Sequence, residues 1–202
     1  MWAENFGISA IGIDIREKAC GRAQKKIAKR GLSGHITIVY GKGASYTFKK
    51  HAFDVASCLG ASFIWGDFQK TIRGMRDAVR LGGRLVIGEP YWNTEKVPQK
   101  YKKREPNIFS ELQLLQIARM EGFTFEHLIR SSGDDWDRYE GSNRYGLVRW
   151  LEENPKHQGR KQVSDWLIKV QDDYLGWGRE HLGWAIYILK MAGWCGRSDL
   201  NR

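Results

Sequence analysis

The feature that most constrains the fold is a short apolar segment that ends in an acid and turns directly into a basic helix. Residues 8–13 are apolar or small, Asp14 follows them, and helical spacing begins at Glu17. In open α/β sheets, an acid at the tip of such a strand holds the ribose hydroxyls of a nucleoside cofactor. A glycine-rich loop precedes that acid by about 20 residues. Since Met1 lies closer to Asp14 than that, we expect the loop to be absent here.

The first two thirds of the chain alternate between strand and helix patterns. Strands are predicted at residues 10–15, 35–40, 53–59 and 84–88, and helices at residues 17–30 and 68–80. Gly31 ends the first helix, and the Leu-Gly-Gly run at 81–83 ends the second. Strands that are apolar on both faces and alternate with helices indicate a parallel sheet covered on both sides.

Beyond Pro90 the pattern changes, and seven of the nine tryptophans lie there. Residues 93–106 are polar and basic and predict a loop. Helices are predicted at residues 109–121, 135–153 and 163–174, and strands at residues 123–129 and 184–189. Residues 191–202 read as a flexible tail because they are rich in glycine and charge.

Composition narrows the class of protein. A chain of 202 residues is one ordinary domain, without a membrane-spanning run or a signal peptide, so we expect a cytoplasmic protein. Cys20, Cys58 and Cys195 fit neither a disulfide framework nor a metal site. The net charge of +10 leaves a nucleic-acid partner open but not favoured, because no recognition motif accompanies it. Residues 99–104 form the one compact basic cluster.

Three segments, taken in order, resemble the class I S-adenosylmethionine-dependent methyltransferases. They are residues 12–15 (Gly-Ile-Asp-Ile), residues 53–62 (Phe-Asp-Val-Ala-Ser-Cys-Leu-Gly-Ala-Ser) and residues 81–92 (Leu-Gly-Gly-Arg-Leu-Val-Ile-Gly-Glu-Pro-Tyr-Trp). Residues 136–140 and 149–155 further resemble a bacterial small-molecule-type subgroup. The resemblance implies a Rossmann-like α/β sheet, mostly parallel with an antiparallel last strand. It implies one domain over residues 1–190, with a helical cap insert at about 134–178.

The resemblance also implies S-adenosylmethionine as cofactor, bound at the carboxyl ends of the strands. Asp14 would hold the ribose and Ile15 would lie against the adenine, with Gly43 and Ala44 nearby. Leu59, Gly60 and Ala61 would line the methionine side. The sequence departs from the family pattern at Lys42, where many members have an acid that accepts from the adenine amino group; lysine offers only donors.

Acceptor residues are predicted at the end of the fourth strand and on the cap. Glu89 is the candidate catalytic residue, to orient the acceptor or take its proton; the alternative is a carboxylate satisfied by backbone or by Arg84. Tyr91 and Trp92 follow it. Trp136 and Tyr139 would wall the acceptor site; the alternative is a helix capped by Asp134 or Asp135, with both aromatics in the core.

The family's first strand is also missing from the sequence, and its flanking strands would be left with unpaired backbone groups. We therefore expect a fragment of a longer reading frame, a gap filled by a re-paired strand or by another chain, or a decayed copy. The first functional hypothesis is methyl transfer to a small molecule, impaired by the missing loop. The second is a non-catalytic relic or basic module that binds an anionic partner such as nucleic acid. A dehydrogenase fits the acid at the strand tip but not the other segments.

Overall fold

A computed structural model describes residues 2–192 of the chain. It contains two compact units, Met1–Lys49 and Lys50–Arg202. The elements in chain order are α1 (Trp2–Phe6), β1 (Ala10–Asp14), α2 (Glu17–Lys29), β2 (Ile36–Tyr40), β3 (Phe53–Leu59), α3 (Phe68–Met75), β4 (Val79–Trp92), α4 (Gln99–Arg104), β5 (Phe109–Ser110), α5 (Glu111–Met120), β6 (Phe123–Arg130), α6 (Gly133–Glu153), α7 (Arg160–Asp173), α8 (Arg179–His181) and β7 (Leu182–Met191).

The first unit is a βαβ arrangement with a two-stranded sheet. β1 and β2 pair in parallel, from Ala10 opposite Ile36 to Asp14 opposite Tyr40, as a helical crossover requires. Gly31 ends α2 as predicted, because its φ of 68° is left-handed and the N–H of Leu32 bonds back to the carbonyl of Ile27 at 3.0 Å. This bond and the burial of Leu32 are the marks of a glycine-terminated helix.

The second unit carries the larger sheet, in the order β3-β4-β7-β6, with β5 beside β4. β3 and β5 run parallel to β4, whereas β7 is antiparallel to both β4 and β6. The predicted fold class is confirmed, including the reversed last strand. Within the described residues β1 pairs only with β2, and β3 only with β4. Among the described residues, β1 and β3 therefore each have one edge without a partner strand.

The main core lies on the face of the larger sheet that α3 and α5 cover. Its fully buried side chains include Phe68 and Ile72 from α3, Leu114 from α5, and Leu85 and Tyr187 from the strands. The ring of Phe68 meets the ring of Tyr187 edge-on, with centroids 5.9 Å apart, a favourable arrangement for aromatic pairs. This core fixes the central strands β4 and β7, whose ends carry the candidate acceptor site.

Two predicted elements were wrong in their extent. The predicted loop at residues 93–106 contains helix α4. The predicted helix at 68–80 ends at Met75 as an α-helix, continues for one short 3-10 turn, and gives way to β4 at Val79. Val79 is fully buried and pairs with Phe53, so burial in the sheet overrides the local helical pattern.

The alternative interpretation, in which Asp134 or Asp135 caps α6, was wrong about the cap. Ser132 begins the helix, and its hydroxyl accepts from the N–H of Asp135 at 3.1 Å. The Asp135 carboxylate in turn accepts from the Ser132 N–H at 3.1 Å, which completes a capping box. Of the predicted tail, residues 193–202 lie outside the described residues, and so does Cys195.

The single-domain boundaries and the cap insert stay predictions. The chain divides at residues 49 and 50 into two units, and residues 133–173 carry α6 and α7. Across the described residues, every helix is too short or too polar to cross a membrane.

Candidate active site

Asp14 ends β1 in the first unit, as predicted, and its carboxylate lies at the surface. Its only described partner is its neighbour Arg16, which donates to it through the backbone N–H at 2.8 Å and through the guanidinium at 3.2 and 3.3 Å. These bonds lower the pKa of Asp14, the side chain of Arg16 contributing most. Arg16 is itself exposed, so a ligand hydroxyl can take its place on the ionised carboxylate.

The other residues predicted for the cofactor in this unit are exposed or half-buried. Ile15 follows Asp14 and its apolar side chain is exposed. Gly43 and Ala44 form a 3-10 turn after β2, with Lys42 before it. The backbone carbonyl of Lys42 accepts from the N–H of Ser45 at 3.2 Å, so Lys42 holds the turn by its backbone while its side chain is exposed.

In the second unit, the predicted methionine-side residues follow β3. Leu59 is the last residue of β3, and 52% of it is exposed. Gly60 has a φ of 66°, a conformation that side chains disfavour, and its N–H donates to the carbonyl of Gly88 at 2.9 Å. Ala61 is half-buried against the core. The turn thereby leaves the strand tip open on one side and anchored to β4 on the other.

Glu89 lies directly beside this turn, on β4. Only 8% of it is exposed, and its Oε1 atom is buried with no hydrogen-bond partner among the described residues. The alternative pairing with Arg84 is excluded, because Arg84 binds Glu126 with two bonds of 2.6 and 2.8 Å. Burial raises the pKa of Glu89 to about 7, because removal from water disfavours the charged form.

A cavity of about 200 Å³ opens where β4 ends and β7 begins, beneath the start of α6. We call it the acceptor cavity. Its lining residues are Tyr91, Asn93, Ser131, Ser132, Gly133, Trp136, Tyr174, Arg179, Leu182, Gly183 and Trp184. The structure therefore brings two of the predicted acceptor residues, Tyr91 and Trp136, to one site. Its volume suits a ligand smaller than a drug-sized molecule, for which cavities start at about 300 Å³.

Glycines allow the aromatic walls of the acceptor cavity to approach the sheet. A Cβ at Gly183 would lie 2.3 Å from the Tyr91 ring, and one at Gly88 would lie 2.5 Å from the Trp184 ring. Real side-chain carbons do not come this close, so any larger residue displaces an aromatic wall.

An ionic network supports the helical side of the cavity. Arg179 donates to both carboxylate oxygens of Asp137, with bonds of 2.9, 3.2 and 2.9 Å, and the Tyr174 hydroxyl donates to the same carboxylate at 2.5 Å. Arg179 first, then Tyr174, lowers the pKa of Asp137 to about 2. The carboxylate thus stays ionised and holds Arg179 and Tyr174 against α6.

The other two predicted acceptor residues lie elsewhere. Trp92 points into a separate apolar cluster with Val97 and Trp177; the ring of Trp177 stacks on Tyr101 at 4.8 Å. Tyr139 stacks on the outer side of Trp136, with centroids 5.7 Å apart, and is 58% exposed. It is therefore not the core residue of the alternative interpretation. Trp92 and Trp136 are separated because neighbouring strand residues such as Tyr91 and Trp92 face opposite sides of the sheet.

Sequence reasoning missed several lining residues, chiefly Tyr174, Arg179 and Trp184. They come from the segment after α7, from α8 and from β7, and no spacing in the sequence connects them to Tyr91. The only available signal was the density of aromatic residues beyond Pro90.

Comparisons with known proteins show what the chain is similar to. Residues 1–83 match a methyltransferase domain. YjhP of Escherichia coli K12 is 29% identical over 193 residues, which are 93% of this chain and 77% of that protein. Its crystal structure has a TM-score of 0.84, with 26% identity and coverage of 93% and 78%.

Two solved S-adenosylmethionine-dependent methyltransferases, both in complex with S-adenosyl-L-homocysteine, are equally similar. The protein from Geobacter sulfurreducens has a TM-score of 0.83 and 29% identity, with coverage of 93% of this chain and 77% of that one. The protein from Thiobacillus denitrificans has a TM-score of 0.82 and 29% identity, with coverage of 95% and 79%. Over nearly its whole length, the chain is therefore similar to S-adenosylmethionine-dependent methyltransferases, and it has their class I fold.

Proposed function

We propose that this methyltransferase moves a methyl group from S-adenosylmethionine to a small-molecule acceptor bound in the acceptor cavity. The observation that carries the proposal is the buried carboxyl of Glu89, whose Oε1 atom has no hydrogen-bond partner among the described residues, on the strand that also lines the cavity. Glu89 lies two residues before Tyr91, hence on the same face of β4, and beside the turn at Gly60. A proton acceptor placed there serves a nucleophile that enters along the Tyr91 wall.

S-adenosylmethionine supplies an electrophilic methyl group when it is bound. As the acceptor's nucleophilic atom bonds to that methyl group, the methyl–sulfur bond would break and S-adenosylhomocysteine would be the leaving group. The carboxylate of Glu89 would take the proton that the acceptor loses and pass it to water. Since the pKa of Glu89 is about 7, the group is ionised at slightly alkaline pH and is a stronger base than an ordinary carboxylate. The aromatic walls orient the acceptor and exclude water, and alignment supplies much of the rate.

The proposed cofactor contacts are carried by separate features of each unit. In the first unit, Asp14 accepts from the ribose hydroxyls and Ile15 packs on the adenine; at the end of β1, Asp14 is half-buried and Ile15 is exposed. The turn of Gly43 and Ala44 contacts the adenine edge. In the second unit, Leu59, Gly60 and Ala61 contact the methionine part. A Cβ at Gly60 would meet nothing within 4 Å, so its backbone is open to a ligand.

Calorimetric titration with S-adenosylhomocysteine tests the cofactor contacts. Asp14→Ala removes charge-assisted bonds, so its affinity should fall about tenfold or more. Asp54→Ala is the matched control, because Asp54 is an exposed aspartate whose described partner is Arg80. Unchanged binding by Asp14→Ala, or no binding by the parent chain at millimolar ligand, would contradict the proposal.

The role of Glu89 is tested by release of S-adenosylhomocysteine with a panel of amines, phenols, thiols and carboxylates as acceptors. Glu89→Gln should lower the turnover at least about a hundredfold, the usual scale of general base catalysis. The rate of the parent protein should rise with pH through about 7, and the residual rate of the variant should not. Retention of both rate and pH profile in Glu89→Gln would remove this residue from the mechanism.

A second candidate function, binding of nucleic acid, is supported by the charge of the first unit. Residues 1–49 contain nine Lys and Arg and three Asp and Glu, a net charge of +6. Four of these cations, Lys18, Arg22, Lys25 and Lys29, recur on one face of α2 and make no ion pair among the described residues. Anisotropy titration of labelled RNA tests it. Glutamine at Arg22, Lys25 and Lys29 should lower the affinity and its salt dependence, and glutamine at residues 100, 102 and 103 should not.

A further inference from the structure

One buried donor in the wall of the acceptor cavity, and a second behind its Tyr174 wall, lack acceptors. The indole Nε1 of Trp136 and one terminal guanidinium nitrogen of Arg144 are both enclosed, and neither has a hydrogen-bond partner among the described residues. Residues 136 and 144 lie eight apart on α6, on the side of that helix that contacts Tyr174. Buried polar groups are normally paired, and each exception needs an explanation. Here both exceptions are donors, which a ligand with oxygen acceptors would satisfy.

The acceptors near the same wall are already occupied. Both oxygens of Asp137 are bound by Arg179, and one of them also accepts from Tyr174. The remaining carboxylate on this face of α6, Glu140, lies 4.0 Å from Arg144. Asp137 and Glu140 therefore each lie against an arginine already, whereas Trp136 Nε1 and one Arg144 nitrogen have no hydrogen-bond partner among the described residues, so this part of the wall has donors to spare.

The tyrosine faces that could bind a cation are also taken. The guanidinium of Arg144 lies 4.9 Å from the ring centre of Tyr174, and that of Arg130 lies 5.7 Å from the ring centre of Tyr91. A cationic ligand would meet these arginines as like charges, whereas an anionic ligand would meet them as opposite charges. Arg179 still has one nitrogen, Nη1, that makes no bond to Asp137.

We propose, on the basis of the function proposed above, that the methyl acceptor carries an oxyanion, a carboxylate or a phosphate, which binds to Arg179 and Trp136. The aromatic walls of Tyr91 and Trp184 then hold the rest of the molecule. Asp137 is a positioning residue in this site, because it holds Arg179 and Tyr174 and does not itself touch the acceptor.

Ligand-detected NMR titration of the full chain with four small aromatic probes tests the assignment. Benzoate and phenyl phosphate represent the two sources of the oxyanion, benzyl alcohol is the neutral analogue, and benzylammonium is the cation. We expect an oxyanion to bind about tenfold tighter than benzyl alcohol, and benzylammonium to bind most weakly. The relative affinities of benzoate and phenyl phosphate identify which oxyanion the site favours. Equal affinity of all four probes, or a preference for benzylammonium, would overturn the inference.

Variants separate recognition from the shape of the cavity. Arg179→Met should lose the preference for benzoate over benzyl alcohol, and Trp136→Phe, which keeps a ring and removes the N–H, should reduce it about threefold. Arg149→Met is the control, since Arg149 lies on the same helix and pairs with Glu153. In Arg179→Met the Asp137 carboxylate loses its ion-pair partner. The double variant Asp137→Asn with Arg179→Gln removes both charges together, and it should also lose the preference for benzoate over benzyl alcohol. An equal loss for benzoate and benzyl alcohol in Arg179→Met and in the double variant would contradict direct recognition.

The outcomes are independent of the proposed methyl transfer. A chain that prefers benzoate but binds no S-adenosylhomocysteine would refute the proposed function and retain an oxyanion site. A chain that binds S-adenosylhomocysteine and prefers benzylammonium would refute this inference alone.

Discussion

The buried carboxyl of Glu89 makes the stability of the protein depend on pH, and Glu89→Gln should remove that dependence. Burial raises the pKa from its ordinary 4.5 to about 7, so the folded state binds the proton more tightly than the unfolded state. The contribution to stability is therefore present below pH 4.5 and is lost as the pH rises to about 7. Each pKa unit corresponds to about 1.4 kcal/mol, so the loss amounts to about 3 kcal/mol at pH 8.

Urea denaturation of the parent and of Glu89→Gln at a series of pH values measures this loss. Glutamine has the shape of the protonated acid and does not ionise. Between pH 4.5 and pH 8 the parent should therefore lose about 3 kcal/mol of unfolding free energy that the variant does not lose. With a slope of about 2–3 kcal/mol/M, the difference between the two midpoints should grow by about 1–1.5 M. A difference that is constant across this range would refute the reasoning.

Glu121→Gln is the matched control, because Glu121 is as buried as Glu89, with 6% exposed, but is fully paired. It accepts from Gln69 at 2.6 Å and from Arg73 at 2.9 Å. Burial raises its pKa, but these two partners outweigh burial and lower it overall. Its contribution is present at neutral pH and is lost on acidification, so Glu121→Gln should destabilise the protein at pH 8 and have a smaller effect at low pH.

Three further substitutions test the packing, each by urea denaturation at pH 7. Gly88→Ala should lower the free energy of unfolding by about 1–3 kcal/mol, because its Cβ would lie 2.5 Å from the Trp184 ring. Gly146→Ala is the control: its Cβ would meet nothing within 4 Å, so it should stabilise α6 by up to about 1 kcal/mol. Similar effects of the two substitutions would contradict the close approach of Trp184 to Gly88. Tyr187→Phe should stabilise by about 1–2 kcal/mol, because the buried hydroxyl has no partner among the described residues; a loss of stability would imply a bound partner. Ser132→Ala should lower the free energy of unfolding by about 1 kcal/mol, because it removes the capping box. Ser142→Ala, within α6, is the control and should not lower it. Equal effects of the two substitutions would refute the cap.

Much of the fold could be predicted from local patterns. The bounds of β3 were predicted to the residue, at 53 and 59, and β1 and α2 were predicted to within one residue. These segments combine a clear period with a strong end signal, such as Gly31 after α2. The start of β4 was missed because Val79 is in a strand through its pairing with Phe53 and its complete burial. The residues next to Val79 in the sequence indicate neither the pairing nor the burial.

The candidate site divides in the same way. Asp14 and the turn at Gly60 could be placed from the sequence, because each follows a recognisable strand directly. The acceptor cavity could not, because α6, α8, β4 and β7 each contribute to it and lie far apart in the chain. Which of Tyr91 and Trp92 faces the cavity depends on the register of β4 against β7, where Tyr91 lies opposite Gly183.

The sequence by itself determined the resemblance to methyltransferases, the alternation of strands and helices, and the acid at the tip of β1, since these depend on short segments and their order. Only the tertiary structure decided the ionisation of Glu89 and the chemistry of the acceptor cavity. A carboxyl group keeps its ordinary pKa until packing removes it from water and from charged partners. Arg84 does not pair with Glu89, because the fold places it against Glu126 on another strand. The charge of a site is set by which groups burial leaves unpaired, and that is a property of the folded chain.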